Sequence, residues 1–241
     1  MNAIKFRSFT ILLVLALMAG RGPAEAAAQE EGIAIAIIYD NSGSMKQPVR
    51  DEQGRLSPKY IIARRALVAI VKNLQTFATN ATTGRPRKIE AGLFVFTGNG
   101  ARELVKFGPF DSNAIQDWTN NLPLPSTGTP LGNALAQAGR TVLNSKLARK
   151  HVLVITDGIN TVGPDPSVTM PKLKAQAAEK QTGLSVHFVA FDVDAKVFNP
   201  LKQLGATVAG AADEKQLNSQ LEFILQRKIL LEEEEVPVKQ K

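Results

Sequence analysis

Five oxygen-bearing side chains fall at three separated places in this 241-residue chain. Asp40, Ser42 and Ser44 lie in Asp40-Asn41-Ser42-Gly43-Ser44, directly after an apolar run. Thr129 sits in Ser126-Thr127-Gly128-Thr129-Pro130-Leu131, and Asp157 closes Val152-Leu153-Val154-Ile155-Thr156-Asp157-Gly158. Two carboxylates and three neutral hydroxyls make a donor set for a hard divalent cation. Mg²⁺ suits it through its preference for oxygen in octahedral geometry, and Mn²⁺ or Ca²⁺ also take such donors. Each residue also has a plainer reading: Asp40 as a turn former, Thr129 as a helix N-cap, Asp157-Gly158 as a turn. A chain that brings the three stretches together holds a metal for a partner to complete.

Positioning such a site takes a core, and a hydrophobic content of 44% supplies one for a single globular domain. Cysteine is absent, which excludes disulfides, thiolate zinc, iron–sulfur clusters and cysteine nucleophiles. Residues 1–28 read as a signal peptide. Lys5 and Arg7 precede a short apolar stretch from Phe9 to Gly20, and Ala24-Glu25-Ala26 and Ala26-Ala27-Ala28 are small-residue cleavage sites. An uncleaved anchor is the alternative; after cleavage no stable membrane span is expected. Export without cysteine points to a bacterial periplasmic or extracellular destination. The formal charge is +7, with clusters at Arg64-Arg65, Arg85-Pro86-Arg87-Lys88 and Lys146 to Lys150. These read as solvated faces with some attraction for anionic polymers. Nucleic acid is not an expected partner, because stacking aromatics are sparse.

Gly32 to Tyr39 is a continuous apolar, β-branched run and predicts a central strand buried on both faces. Ser57-Pro58 predicts a helix start, with Ile62, Ala66, Ala69, Ile70 and Leu74 on its inner face. Lys88 to Thr97 and Ala101 to Phe107 read as strands of a hairpin, followed by a short helix from Asp111 to Leu122. A helix from Thr129-Pro130 to about Lys146, a buried strand from His151 to Thr156 and a helix from Pro171 to Thr182 come next. Leu184 to Phe191 is a strand, Ala195 to Leu204 a helix, Ala206 to Ala209 a short strand and Asp213 to about Leu231 the last helix. The alternation predicts an α/β domain over 29–231: a doubly wound, mostly parallel six-stranded sheet with one antiparallel edge strand and helices on both faces. The acidic segment 232–241 reads as a flexible tail.

In such a sheet ligands bind beyond the carboxyl ends of the strands, near the point where strand order reverses. Asp40 and Asp157 each end a strand, and Thr129 opens the helix before the second of them, so all three groups fall on one rim. On these residues the chain resembles a von Willebrand factor type A (vWA) domain with a metal-ion-dependent adhesion site, in an exported stand-alone form. Asp40, Ser42 and Ser44 match its Asp-x-Ser-x-Ser element, Thr129 in Gly128-Thr129-Pro130-Leu131 its threonine, and Asp157 in Thr156-Asp157-Gly158 its separate aspartate. The resemblance covers roughly Glu31 to Gln226. It implies a Rossmann-like fold and direct ligation by Ser42 and Ser44. It further implies ligation by Thr129 directly or through water, and Asp40 and Asp157 acting through bridging waters. One coordination position is then left for an Asp or Glu carboxylate of a protein ligand. Mostly neutral direct ligands leave the cation its appetite for that acid.

The function so implied is a non-enzymatic protein-binding module for adhesion or assembly. A metal-assisted phosphoester hydrolase is the alternative. It is disfavoured because Ser42 stands where a second acid is wanted and no phosphate loop of the Gly-x-x-x-x-Gly-Lys type occurs. A scaffold with a purely structural metal is the third reading. Met45, Asn160 and Thr161 are candidate partner contacts, with packing an equal alternative for Met45. Asn41 and Gly43 read as structural, His151 and His187 as packed, and Asp192 and Asp194, which follow the fifth strand near the same rim, as loop residues, with a role in setting local charge as the alternative.

Overall fold

The computed structural model describes residues 29–79 and 87–231. The expected signal peptide, the acidic tail 232–241, and Arg85 and Pro86 of one basic cluster lie outside the described residues. The chain runs β1 (Glu30–Tyr39), β2 (Pro48–Arg50), β3 (Leu56–Pro58), α1 (Lys59–Thr79), β4 (Ile89–Thr97), β5 (Gly100–Pro109), α2 (Ser112–Asn120), α3 (Leu131–Leu143), β6 (Leu147–Thr156) and α4 (Pro166–Glu179). It continues through β7 (Ser185–Phe191), α5 (Asn199–Gln203), β8 (Thr207–Ala211) and α6 (Glu214–Ile224). A 3₁₀ turn, Ala195–Phe198, precedes α5, and a π turn, Leu225–Leu230, follows α6.

Six strands form one sheet in the order β5-β4-β1-β6-β7-β8. All neighbours are parallel except β4 and β5, which pair antiparallel and place β5 at the edge. This is the architecture that the alternation of elements predicts. Side-chain alternation along β1 explains its double burial. Ile33, Ile35, Ile37 and Tyr39 pack with residues of α1, α2 and α6, while Ala34, Ala36 and Ile38 pack with those of α3, α4 and α5. The alanines let α3 approach the sheet closely, and its glycines let α4 and the loop before it approach α3. A methyl group on Gly132 would collide with the Pro164 carbonyl, and one on Gly139 would sit 2.6 Å from Leu173.

Several expected boundaries move. Ser57 and Pro58 do not open a helix; they belong to β3, which pairs antiparallel with β2 as a small hairpin. The reason lies in Asp51, whose Oδ1 accepts the backbone N–H of Gln53 and Arg55 while Oδ2 accepts the Ser57 hydroxyl at 3.2 Å. The serine thus closes a turn rather than capping a helix, and α1 begins at Lys59. On α1, Ala69 is exposed, and Lys59, Ala63 and Leu67 join the buried face. Pro171 lies inside α4, which starts five residues earlier at Pro166 with Asp165 as N-cap. The cluster from Lys146 to Lys150 is largely strand rather than solvated face. Lys150 is buried, donating to the Leu147 carbonyl and Thr182 Oγ1, and Arg149 reaches the Ile229 and Leu230 carbonyls. Among the described residues no helix is long and apolar enough to cross a membrane.

Candidate metal centre

The sheet order reverses between β1 and β6, and the two strands end side by side there, with Tyr39 level with Ile155. Asp40 and Asp157 follow directly, and the Asp40 N–H donates to the Ile155 carbonyl at 3.0 Å. The chain after β1 turns through a short 3₁₀ segment, Gly43–Lys46, held by Met45 N to Ser42 O and Gln47 N to Ser44 O. The segment before α3 runs alongside: Gly43 N donates to Thr127 O and Ser126 N to Asn41 O, both at 3.0 Å. The three separated stretches therefore meet at one rim.

At their meeting point the hydroxyls and carboxylates form a connected set. Ser42 Oγ and Ser44 Oγ are 3.0 Å apart, and Ser44 Oγ donates to Asp157 Oδ1 at 2.7 Å. A methyl group on Gly158 would lie 3.5 Å from Thr129 Oγ1 and 4.0 Å from Ser44 Oγ, so these two hydroxyls face the same bare backbone. Neighbouring vertices of an octahedron with metal–oxygen bonds of about 2.0–2.1 Å lie about 3 Å apart, so the serine pair has the spacing of adjacent Mg²⁺ ligands. No group of three or more His, Cys, Asp or Glu poised for a metal occurs among the described residues. The donor set here is hydroxyl-rich instead, with two acids.

Asp40 is fully buried. Its Oδ1 accepts the Ser42 N–H at 2.7 Å and its Oδ2 the Thr156 hydroxyl at 2.6 Å. Burial pushes its carboxyl up to about 6, against the hydrogen bonds from Ser42 and Thr156, which pull it down. A cation at the rim would relieve that cost. Thr129 lies one residue ahead of the N-cap position of α3, which falls on Pro130 and carries no side-chain capping bond. Its backbone is pinned on both sides by Thr161: Thr129 N donates to Thr161 Oγ1 at 2.8 Å, and Thr161 N to Thr129 O at 2.9 Å.

The three candidate partner contacts divide. Met45 is fully buried in the core beneath the 3₁₀ turn, where its apolar side chain anchors the loop; it does not face a partner. Asn160 is half-buried and braces the loop after β6, accepting from Gly132 N at 3.2 Å and donating to Gly163 O at 3.0 Å. Thr161 is exposed, yet its hydroxyl is engaged with Thr129.

Thr156 and Lys59 join the site although the sequence alone does not single them out, and Asp192 joins them. Thr156 holds Asp40. Lys59, its side chain 2% exposed, donates to Asp157 Oδ2 at 2.9 Å, pairs with Asp192 Oδ2 at 2.9 Å and reaches Gln47 Oε1 at 3.3 Å. Burial pulls the Lys59 ammonium down, but hydrogen bonds and charge from Asp192 and Asp157 outweigh it, so it stays charged above its usual range. Asp192 is thus a pairing residue rather than a free loop acid. One signal was available for Lys59: it falls at the apolar spacing of α1, and a lysine inside an apolar stripe needs a buried partner.

The family model for the von Willebrand factor type A domain matches residues 34–224, and the chain belongs to that family. It is 26% identical over 204 residues to the uncharacterized protein YwmD of Bacillus subtilis (strain 168), covering 83% of this chain and 86% of that one. Among solved structures, the PilB minor pilin from Streptococcus sanguinis superposes with a TM-score of 0.58 at 18% identity, over 83% of this chain and 61% of the pilin. Proximal thread matrix protein 1 from the mussel byssus, with a zinc-occupied metal-ion-dependent adhesion site, gives 0.55 at 17% identity, over 82% of this chain and 48% of that one. This chain therefore spans less than two thirds of either structural relative, and those likenesses concern the fold.

Proposed function

We propose that this chain is an exported bacterial protein-binding module that recognises an acidic residue of a partner protein through a divalent cation, Mg²⁺ in the first instance. The observation that carries the reading is the hydroxyl pair Ser42–Ser44 at 3.0 Å, bonded to Asp157 and facing Thr129 across Gly158. Ser42, Ser44 and Thr129 would ligate the ion, with Asp40 and Asp157 holding its shell and balancing its charge. The cation supplies a Lewis-acidic position that an incoming carboxylate can fill. The chain's own residues build the receptor for it: Met45 anchors the first loop, Thr161 and Asn160 brace the second, and Lys59 holds the third. The leader-like residues 1–28 support export, and the likeness to a minor pilin supports a role in assembly or attachment.

Catalysis fits less well. Asp40, the residue placed for an aspartyl nucleophile, is fully buried, and both its carboxylate oxygens are engaged by Ser42 N and Thr156 Oγ1. The test is calorimetric titration of the purified chain with Mg²⁺, coupled to affinity capture from envelope extract and elution with EDTA. Wild type takes up one ion and releases partner on chelation, whereas Asp40→Ala stays folded and does neither. Capture that survives EDTA and Asp40→Ala rejects the reading. Uptake of the ion into a closed shell, with no metal-dependent partner, favours a structural metal instead.

A further inference from the structure

Lys59 joins three elements at one nitrogen. It opens α1, Asp157 directly follows β6 and Asp192 directly follows β7, and its ammonium lies 2.9 Å from a carboxylate oxygen of each acid. An ammonium at 2% exposure is tolerated only with such pairing. Asp192 is further distinguished by a φ of +54°, in the left-handed region that glycine favours and that, among other residues, aspartate and asparagine enter most often. Its backbone is held there by a 2.6 Å bond from its N–H to the Ala211 carbonyl, and its carboxylate turns toward Lys59. Glycine takes that backbone most readily and aspartate more readily than most other side chains, and the acid that stands there brings a carboxylate to Lys59.

The consequence falls on Asp157. Its Oδ1 accepts from Ser44 and its Oδ2 from Lys59, so the carboxylate cannot swing round to offer both oxygens to an ion beside the hydroxyls. We propose that Lys59 is a positioning residue that withholds Asp157 from the metal, leaving the cation under-neutralised and receptive to an outside carboxylate. The inference rests on the metal-dependent reading above. Lys59 and Asp192 set the balance in opposite senses: the ammonium draws Asp157 away from the cation, and Asp192 competes for the ammonium.

The probes are Mn²⁺, followed by electron paramagnetic resonance and water-proton relaxation, and acetate as the minimal carboxylate. In Lys59→Met, which keeps side-chain length and loses the charge, Mn²⁺ binds about tenfold tighter while acetate displaces metal-bound water about tenfold less readily. In Asp192→Asn the ammonium falls wholly to Asp157, and Mn²⁺ binds several-fold more weakly than in wild type. A general folding defect would weaken Mn²⁺ binding in both variants. Wild type that binds Mn²⁺, with the two variants unchanged or shifted the same way, overturns the role of Lys59 alone. Wild type that takes up no Mn²⁺ removes the metal-dependent reading and this inference with it.

Discussion

Two groups of buried polar side chains sit on the same central strands and solve the cost of burial in opposite ways. At the rim, Asp40 is fully buried, and among the described residues no cationic side chain pairs with it. Six residues back along β6, about 20 Å away at strand rise, His151 packs against His187 of β7, the two 1% and 3% exposed. Their Nδ1 and Nε2 atoms are 3.3 Å apart, with ring centroids 5.5 Å apart and planes within 22°. That centroid spacing places the rings edge to edge, so one neutral imidazole donates to the other. Burial pulls His151 down to about 3 and His187 to about 4, and both stay neutral. The pair meets the cost of burial by staying neutral and sharing one hydrogen bond, with His187 Nδ1 left without a partner among the described residues. The rim holds charge that its own hydrogen bonds do not fully offset, and this separates a candidate site from mere packing: burial and polarity are common to both regions, and only one of them calls for a cation.

The largest test of this contrast is acid. The folded-state pKa of each histidine lies below its ordinary 6.5, so their contribution to stability is complete above that pH and is lost as pH falls. Asp40 works the other way. Its folded-state value of about 6 exceeds the ordinary 3.8, so its burial costs stability as pH rises through that window. Two histidines outweigh one carboxyl, and the metal-free protein should lose about 2 kcal/mol between about pH 7 and pH 5. Urea denaturation at each pH, with EDTA present, measures it. His187→Gln should remove roughly half of the histidine contribution. A flat profile in wild type would mean that the imidazoles are not held neutral, and the contrast would fail at that end.

The sequence made the rim legible because its chemistry and its placement coincide. Asp40 and Asp157 both end apolar runs, and a parallel sheet puts such ends together. Thr129 was legible through its position before an apolar helix. The β2–β3 hairpin was not, since two three-residue strands bounded by Pro48 and Pro58 look like loop, and their pairing depends on Asp51 gathering the turn. Lys59 escaped because its partners Asp157 and Asp192 lie far along the chain and meet it only once β6 and β7 are neighbours. The imidazole contact was hidden for the same reason. Met45 was ambiguous because an apolar residue inside a polar loop is equally suited to gripping the core or a partner; packing against Tyr39 and α1 residues in one core cluster decided it.

A sharper test at the rim is Asp40→Asn, which keeps the shape and removes the charge. The metal-free variant should be more stable than wild type at about pH 7, by about 2 kcal/mol, because the burial cost of the carboxylate is gone. The same variant should lose most of its response to Mg²⁺. Thermal denaturation with and without the ion reads both effects. If Asp40→Asn destabilises the metal-free protein instead, the rim is a satisfied network that calls for no cation.

The smallest expected effect lies in the second loop. Thr161→Val keeps the volume and removes the hydroxyl that accepts the Thr129 N–H at 2.8 Å. Thr129 is 4% exposed, so its N–H loses a partner that water replaces poorly, at a cost of about 1 kcal/mol. The Thr161 N–H to Thr129 O bond remains, so the loop stays in place and only the tilt of Thr129 is released. Mg²⁺ affinity should then fall a few-fold, while the acid profile set by His151 and His187 stays as in wild type. Calorimetry with Mg²⁺ and the denaturation series separate the two readouts. Loss of stability with unchanged Mg²⁺ affinity would make Thr161 a brace for the fold and not for the ion, and would move Thr129 from the rim's donor set to its framework.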